Sequence, residues 1–397
     1  MIYIIGMGMG SKQLRTLEVQ EALEKADIII GAQRLLDSLE EELCQRRIAE
    51  YRAAEIVEIL KGTAFMDAAI LFSGDVTFYS GAKELRDALL ESKMVIEQPL
   101  RVLPGISSVS YMCSRVGVPL QDLDIYSAHG QDCDIVSAVM RGRVCFFITG
   151  GKIKTSDLCQ QLVDAGLGDL IVAVGEHLSY EYQMIRTMKA LEAASRDADS
   201  LGVMVVWPPS SVKRGLPGYA DEAFIRGNVP MTKRLIRANV VCLLNPGQED
   251  VCWDVGAGTG SVSVELAMHG KRVYAIEMKP EAVKLLQQNK EQFRAYNMQI
   301  VEGEAPEALS SLEAPQVVFI GGSNGRIPEI LDVLPEQNVR VCVTAVTLET
   351  LEEARVAMER RGFAPQVTQV AVTETRLVGN YHMLDSQNPV FIIYGER

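Results

Sequence analysis

Between Trp207 and Gly218 the chain carries three prolines and two glycines, in Trp207-Pro208-Pro209-Ser210-Ser211 and then Gly215-Leu216-Pro217-Gly218. Proline locks φ and lacks the N–H that a helix interior or a central strand needs, so neither element can run through this stretch. It reads as a linker, 208–218, that divides 397 residues into halves of similar size, 1–207 and 219–397. Each half is long enough for its own core, since a domain is commonly ~100–200 residues. Each opens on a strand, a glycine-rich turn and a helix, yet no repeat aligns the remainder. Two unrelated α/β folds are therefore expected, not a duplication.

Charge and cysteine use narrow the partners. Lys and Arg total 39 against 52 Asp and Glu, a net charge of -13, which argues against nucleic acid held on a basic surface. The cysteines at 44, 113, 133, 145, 159, 242, 252 and 342 form no C-x-x-C pair and have no histidine at zinc-site spacing. No metal is expected, and the cytoplasm is the expected compartment. The opening MIYIIGMGMG has no basic flank and breaks quickly into glycines, so neither a signal peptide nor a membrane contact is expected.

In the second half, strands are expected at 251–255, 272–276, 298–301, 316–320, 340–345, 366–373 and 389–395. The first five alternate with helical stretches such as 280–289 and 349–361, the mark of a doubly wound parallel sheet. The last two have no helix between them and would pair antiparallel across a polar loop, 374–388. This predicts a Rossmann-like, seven-stranded, mostly parallel sheet. In the first half, strands are expected at 2–5, 27–30, 69–73, 101–103, 144–149, 170–174 and 203–207, an α/β fold in two lobes.

Asp254-Val-Gly256-Ala257-Gly258-Thr259-Gly260 follows an apolar strand and opens a helix near Ser261. A dinucleotide fingerprint would need its third glycine at 261, which is Ser261. The G-x-G-x-G spacing suits close backbone approach by an amino-acid and nucleoside ligand without a pyrophosphate. Glu277 closes the next strand, where a carboxylate can accept hydrogen bonds from both ribose hydroxyls and repel a 2′-phosphate. Gly303-Glu304-Ala305 follows the third strand, where adenine would lie. This combination resembles the class I S-adenosylmethionine methyltransferases. Phe319-Ile-Gly-Gly-Ser-Asn-Gly-Arg326 carries neither the Pro-Pro-aromatic clamp nor the Pro-Cys nucleophile of enzymes that methylate DNA bases. Gly227-Asn-Val-Pro-Met-Thr-Lys233, Val301-Glu-Gly-Glu-Ala-Pro-Glu-Ala-Leu309, Ala345-Val-Thr-Leu-Glu-Thr-Leu351 and Gln387-Asn-Pro-Val-Phe-Ile-Ile393 resemble the decarboxylating precorrin and cobalt-precorrin methyltransferases that act at C15 of the corrin ring.

In the first half, Ile2-Tyr-Ile-Ile-Gly6-Met-Gly8-Met9-Gly10, Leu71-Phe-Ser-Gly74-Asp75-Val76-Thr-Phe-Tyr79, Leu103-Pro-Gly-Ile-Ser107-Ser108 and Ser127-Ala-His129-Gly130 resemble the tetrapyrrole methylases. Within these, the best match is to the corrin C5-methyltransferases. Met9 and Val76 stand where that family usually has proline, which removes stiffness from two turns.

The resemblances imply S-adenosylmethionine, one site per domain, and a cobalamin-biosynthesis enzyme that methylates C5 and C15 and removes the ring-C acetate carboxylate. They place the cofactor against Thr232, Asp254, Gly256, Ala257, Gly258, Thr259, Gly260, Glu277, Glu304 and Ala305 in the second half. In the first half the expected contacts are Gly74, Asp75, Ser107 and Ser108. Thr232 is also expected as the N-cap of the helix through Ile236 and Val240. A polycarboxylate tetrapyrrole needs local cations on so acidic a chain. Arg226, Lys233, Arg234, Arg237 and Arg376 are candidates, with Arg141, Arg143, Lys152 and Lys154 in the first half. Tyr381 and His382 could pack on the ring face and His129 could bond a carboxylate. No catalytic acid or base is assigned, and a homo-oligomer, dimer or tetramer, is implied. Two alternatives stay open: an RNA-modifying methyltransferase, and a protein that binds the same ligands without catalysis.

Overall fold

The fold is that of a computed structural model, and it describes residues 1–43, 46–93, 98–129, 133–209 and 217–397. Cys44, Gly130 and residues 210–216 of the expected linker lie outside the described residues. The chain forms two compact units, Met1–Ile135 with Arg143–Pro208, and Val136–Gly142 with Pro209–Arg397.

The first unit holds two sheets, in keeping with two lobes. One contains β1 (Ile2–Gly6), β2 (Ile28–Gly31), β3 (Arg47–Ala49), β4 (Ala68–Phe72) and β5 (Leu100–Leu103), in the order β3-β2-β4-β1-β5 and parallel throughout. Interior strand β1 is buried on both faces, as an apolar run in a parallel sheet should be. Ile2 and Ile4 enter one core, while Tyr3 and Ile5 enter the other. The second sheet contains β6 (Leu123–Ser127), β7 (Val144–Ile148), β8 (Ile171–Glu176), β9 (Met184–Lys189) and β10 (Gly202–Val206), in the order β6-β7-β10-β8-β9. Here only the β6–β7 pair is parallel. The sequence reading did not contain β3, β6 or β9. β3 spans three residues, and the edge strand β9 leaves most of its side chains partly or fully exposed, so neither carries an apolar run.

In the second unit, β11 (Val251–Val255), β12 (Arg272–Glu277), β13 (Met298–Glu302), β14 (Val317–Ile320), β15 (Arg340–Ala345), β16 (Gln366–Val370) and β19 (Val390–Glu396) form one sheet, ordered β13-β12-β11-β14-β15-β19-β16. The first five are parallel, and β19 runs antiparallel to both of its neighbours. Along β11, Val251, Trp253 and Val255 pack on one face and Cys252 on the other. Each face is covered by helices: Ile327–Asp332 and Leu348–Arg360 on the first, and Arg234–Leu244, Ser261–Ala267 and Pro280–Phe293 on the second. Chain order turns outward in both directions from β11 and β14, which makes their carboxyl ends the switch point where such sheets bind ligands.

The expected strand 366–373 ends at Val370, and the expected loop 374–388 is a hairpin. Its strands β17 (Thr373–Val378) and β18 (Tyr381–Ser386) pair only with each other. Gly379 supplies the φ of +63° that a two-residue turn needs. Arg376 and Tyr381 therefore sit on strands, not in a loop. Among the described residues no helix is long and apolar enough to cross a membrane.

Candidate active site

The loop after β11 is shaped by glycines that no other residue would replace without strain. Gly256, Gly258 and Gly260 have φ of +72°, +57° and +77°. A Cβ on Gly256 would meet the Gly322 carbonyl oxygen at 2.5 Å, and one on Gly260 would meet Leu286 Cδ1 at 2.1 Å. The loop is thus pressed against the Gly321-Gly322 turn after β14 on one side and a helix on the other. Above it opens a cavity of about 750 Å³, walled by Asn228–Lys233, Gly256–Gly258, Glu277–Lys279, Gly303–Ala305, Gly321–Gly325, Thr344, Gln387 and Asn388.

Of the expected cofactor residues, this cavity gathers Thr232, Gly256, Ala257, Gly258, Glu277, Glu304 and Ala305. Asp254, Thr259 and Gly260 lie outside its lining. Asp254 is 1% exposed and accepts a hydrogen bond from the Ser263 hydroxyl, while its Oδ1 has no hydrogen-bond partner. Burial pushes its carboxyl up to about 7, against the opposing pull of the Ser263 bond. Thr259 is equally buried, and its carbonyl accepts from Asn289 Nδ2 at 2.8 Å. Both residues brace the loop from below.

Glu277 is 7% exposed and held by backbone amides. Its Oε2 accepts from Gly258 N–H at 2.8 Å, and its Oε1 from Met278 and Lys279 N–H at 2.9 Å each. A ribose diol would approach a carboxylate already oriented by three donors, one of them from the glycine loop itself. Across the cavity, Asn324 Nδ2 reaches Glu304 Oε1 at 3.3 Å and Met278 Sδ at 3.1 Å, closing the end where adenine is expected.

The cations separate by burial. Lys233 lines the cavity and its Nζ lies 3.9 Å from Asp221. Lys233, not Thr232, is the N-cap of the helix from Arg234; the Thr232 carbonyl instead accepts from Arg237 Nη1 at 2.7 Å. Arg237, read above as a substrate cation, is wholly buried. It pairs with Glu265 at 2.6 Å and Asp221 at 3.2 Å and lies over the Phe224 ring. Glu265 in turn accepts from the Gly218 and Tyr219 amides at 3.0 and 3.1 Å. This pair therefore ties down the segment leading into the Asn228–Lys233 wall. Arg226 is exposed and outside the lining, and Arg376 and Tyr381 stand on the exposed hairpin. Sequence reasoning missed Lys279, Asn324, Gln387 and Asn388 as cavity residues; Lys279 and Asn324 were signalled only by position past a strand end, and Gln387 and Asn388 also by the motif they open.

In the first unit, the ends of β1, β4 and β5 converge through glycine. Gly8 and Gly74 exchange backbone hydrogen bonds at 3.1 and 2.7 Å. A Cβ on Gly105 would lie 2.3 Å from the Gly74 oxygen and 2.5 Å from the Gly6 oxygen. Asp75 accepts from Gly105 N–H at 3.0 Å and from Thr77 N–H at 2.8 Å, so it organises this junction. Ser107 caps the helix Ser108–Val116, accepting from Ser110 N–H at 3.2 Å. Gly74, Asp75, Ser107 and Ser108 thus meet at one sheet edge. Val76 is buried in the β1 core and Met9, partly buried, packs against the apolar cluster of the second sheet, so both replacements for proline fill apolar space. His129 follows β6 and lies against Gly150. Gly105→Ala should lose cofactor at the first site and lower that unit's melting temperature; unchanged binding by calorimetry would refute the close approach.

Comparison with known proteins finds a different family in each half of the chain. Residues 222–396 match the family described as Precorrin methyltransferase domain, and residues 1–194 match the Tetrapyrrole (Corrin/Porphyrin) Methylases. A protein of Methanothermobacter thermautotrophicus, named "Probable cobalt-precorrin-6B C(15)-methyltransferase (decarboxylating)", is 37% identical over 180 residues, 44% of this chain and 94% of that protein. A Sinorhizobium protein named Precorrin-6Y C(5,15)-methyltransferase [decarboxylating] is 28% identical over 358 residues, 87% of this chain and 84% of its own. The crystal structure of precorrin-6Y C5,15-methyltransferase from Geobacter metallireducens GS-15 has 35% identity and a TM-score of 0.44, covering 46% of this chain and all of that one.

Proposed function

We propose a function for each unit from one premise: this chain belongs to the decarboxylating precorrin methyltransferases, the family of the cobalt-precorrin-6B C15 and precorrin-6Y C5,15 enzymes. The second unit methylates C15 of a precorrin and releases the ring-C acetate carboxylate as carbon dioxide. The first methylates C5. The observation that carries this reading is the switch-point cavity, whose glycine floor and oriented Glu277 suit a nucleoside and whose opposite wall adds Lys233, Gln387 and Asn388 for a polar substrate.

The residues present fit S-adenosylmethionine: Gly256 and Gly258 line the cavity without side chains of their own, Glu277 offers a ribose acceptor, and Glu304 and Asn324 offer polar partners at the far end. When bound, that cofactor supplies an electrophilic methyl on a sulfonium. Positive charge is consumed during transfer to carbon, so the chain gains chiefly by positioning and by excluding water. The meso carbons of a reduced tetrapyrrole are enamine-like and nucleophilic without a protein base. Decarboxylation can use the same ring as its electron sink. Lys233 and Lys279 are the cavity cations available to peripheral carboxylates, which answers the acidic surface with local charge. Equilibrium dialysis should find about two S-adenosylmethionine molecules per chain; a plateau at one would contradict a site in each unit.

The partners are a polycarboxylate tetrapyrrole and further copies of this chain, without nucleic acid or membrane. The hairpin β17–β18 supports the homo-oligomer. A lone two-stranded ribbon is marginal in water, yet this one exposes Leu377, Tyr381, Met383 and Leu384. Replacing Tyr381 and Leu384 together by Asp should drop the mass measured by light scattering to that of the monomer; an unchanged oligomer would place the interface elsewhere.

A further inference from the structure

The turn from β8 to β9 in the first unit is held in a costly shape. His177 at φ +50° and Ser179 at φ +70° both occupy the left-handed region, which residues with side chains seldom adopt and which persists only where the surroundings enforce it. The enforcing contacts are explicit. His177 Nε2 lies 3.1 Å from Asp199 Oδ2. Ser179 N–H donates to Gln183 Oε1 at 2.8 Å, and the Tyr111 hydroxyl donates to the same oxygen at 2.7 Å.

The turn is also fixed to the loop after β1. Ser11 N–H donates to Ser179 Oγ at 3.3 Å, and the Tyr180 hydroxyl lies so near Gly10 that a Cβ there would meet it at 2.9 Å. That loop is the one whose Gly8 pairs with Gly74, next to Asp75 and the Gly105 junction. The strained turn therefore stands beside the residues expected to hold the methyl donor.

Its aromatic rings form a row. Tyr180 and Tyr182 stack with centroids 5.9 Å apart and planes 25° apart, and the His177 ring lies 4.7 Å from Tyr182. A turn packed only for stability would bury such rings, but Tyr182 is 66% exposed. We infer that this turn is the substrate platform of the first unit: Tyr182, backed by Tyr180 and His177, receives a conjugated segment of the reduced tetrapyrrole ring. Aromatic faces favour offset stacking on flat π-systems, and two rigid torsions make tyrosine a low-entropy surface. His177 and Asp199 are positioning residues that fix the angle of the row. The inference rests on reading the first unit as the C5 methylase.

The test uses the intact chain. Tyr182→Ala should raise the precorrin KM for C5 methylation about tenfold while C5 kcat, the cofactor Kd and C15 kinetics stay within about twofold, and Tyr182→Phe should restore the KM. Asp199→Asn should raise the same KM without altering kcat. An unchanged KM in Tyr182→Ala, or a loss shared equally by C15 methylation, overturns the platform. Absorbance titration with precorrin in the absence of methyl donor separates the two claims. Weakened binding in Tyr182→Ala with no C5 methylation by the wild type would keep the platform and sink the C5 reading, whereas wild-type C5 methylation with unweakened binding would do the reverse.

Discussion

Glu277→Ala is expected to abolish C15 methylation and decarboxylation while C5 methylation continues. On the proposed reading this carboxylate, oriented by three backbone amides, is the acceptor for the ribose, and a hydrogen bond to a charged group contributes roughly 1.5–3 kcal/mol. Losing two such bonds should weaken cofactor binding at the second site by about a hundredfold or more, at ~1.4 kcal/mol per factor of ten. Glu277 also holds the Gly258 amide, so the loop itself loosens in the variant. Glu277→Gln, which keeps one acceptor and the shape but not the charge, should fall between. Calorimetric titration of cofactor into the variant should reveal one surviving site of wild-type affinity. Equal weakening of both sites would refute their independence, and C15 methylation at wild-type rate would refute the role of Glu277.

Arg237→Met is expected to destabilise the second unit severely. The guanidinium is wholly buried between Glu265 and Asp221 and also donates to the Thr232 and Tyr219 carbonyls. Removing it leaves the buried Glu265 carboxylate with two backbone amides but no counter-charge, a change that typically costs about 3–5 kcal/mol. For a unit of this size that lowers the melting temperature by on the order of 10 °C. Pairing Arg237→Met with Glu265→Leu should recover much of the loss, because the uncompensated charge is then gone too. A single variant within about 1 kcal/mol of wild type by denaturant titration would show that the pair does not organise the Asn228–Lys233 wall.

The parts of the site visible in the sequence are those where backbone geometry dictates residue type. Gly256, Gly258 and Gly260 could be read because a positive φ leaves little alternative to glycine, and Glu277 because it closes the strand beside that loop. Arg237 was misread because a linear sequence does not say which arginine points inward. Its signal lay elsewhere, in Glu265, the lone charged residue of Ser261–Ala267, a helix whose every residue is buried and whose carboxylate therefore demands a partner. The hairpin β17–β18 escaped because neither face is buried within the chain, so no apolar alternation marks it, although Gly379-Asn380 is a hairpin turn signal. The strained turn at His177 was invisible for a related reason: histidine and serine announce no left-handed backbone, and only the contacts to Asp199 and Gln183 hold them there.

One chain is expected to carry out two methylations and one decarboxylation, with C5 methylated by the first unit and C15 by the second. Incubating the protein with the hexamethylated reduced precorrin and methyl-labelled S-adenosylmethionine, then locating the labelled carbons by NMR and collecting the gas, tests it directly. The expected result is two labelled methyls per product, at C5 and C15, and one carbon dioxide released. A single labelled methyl, or methylation at C15 without carbon dioxide, would contradict it.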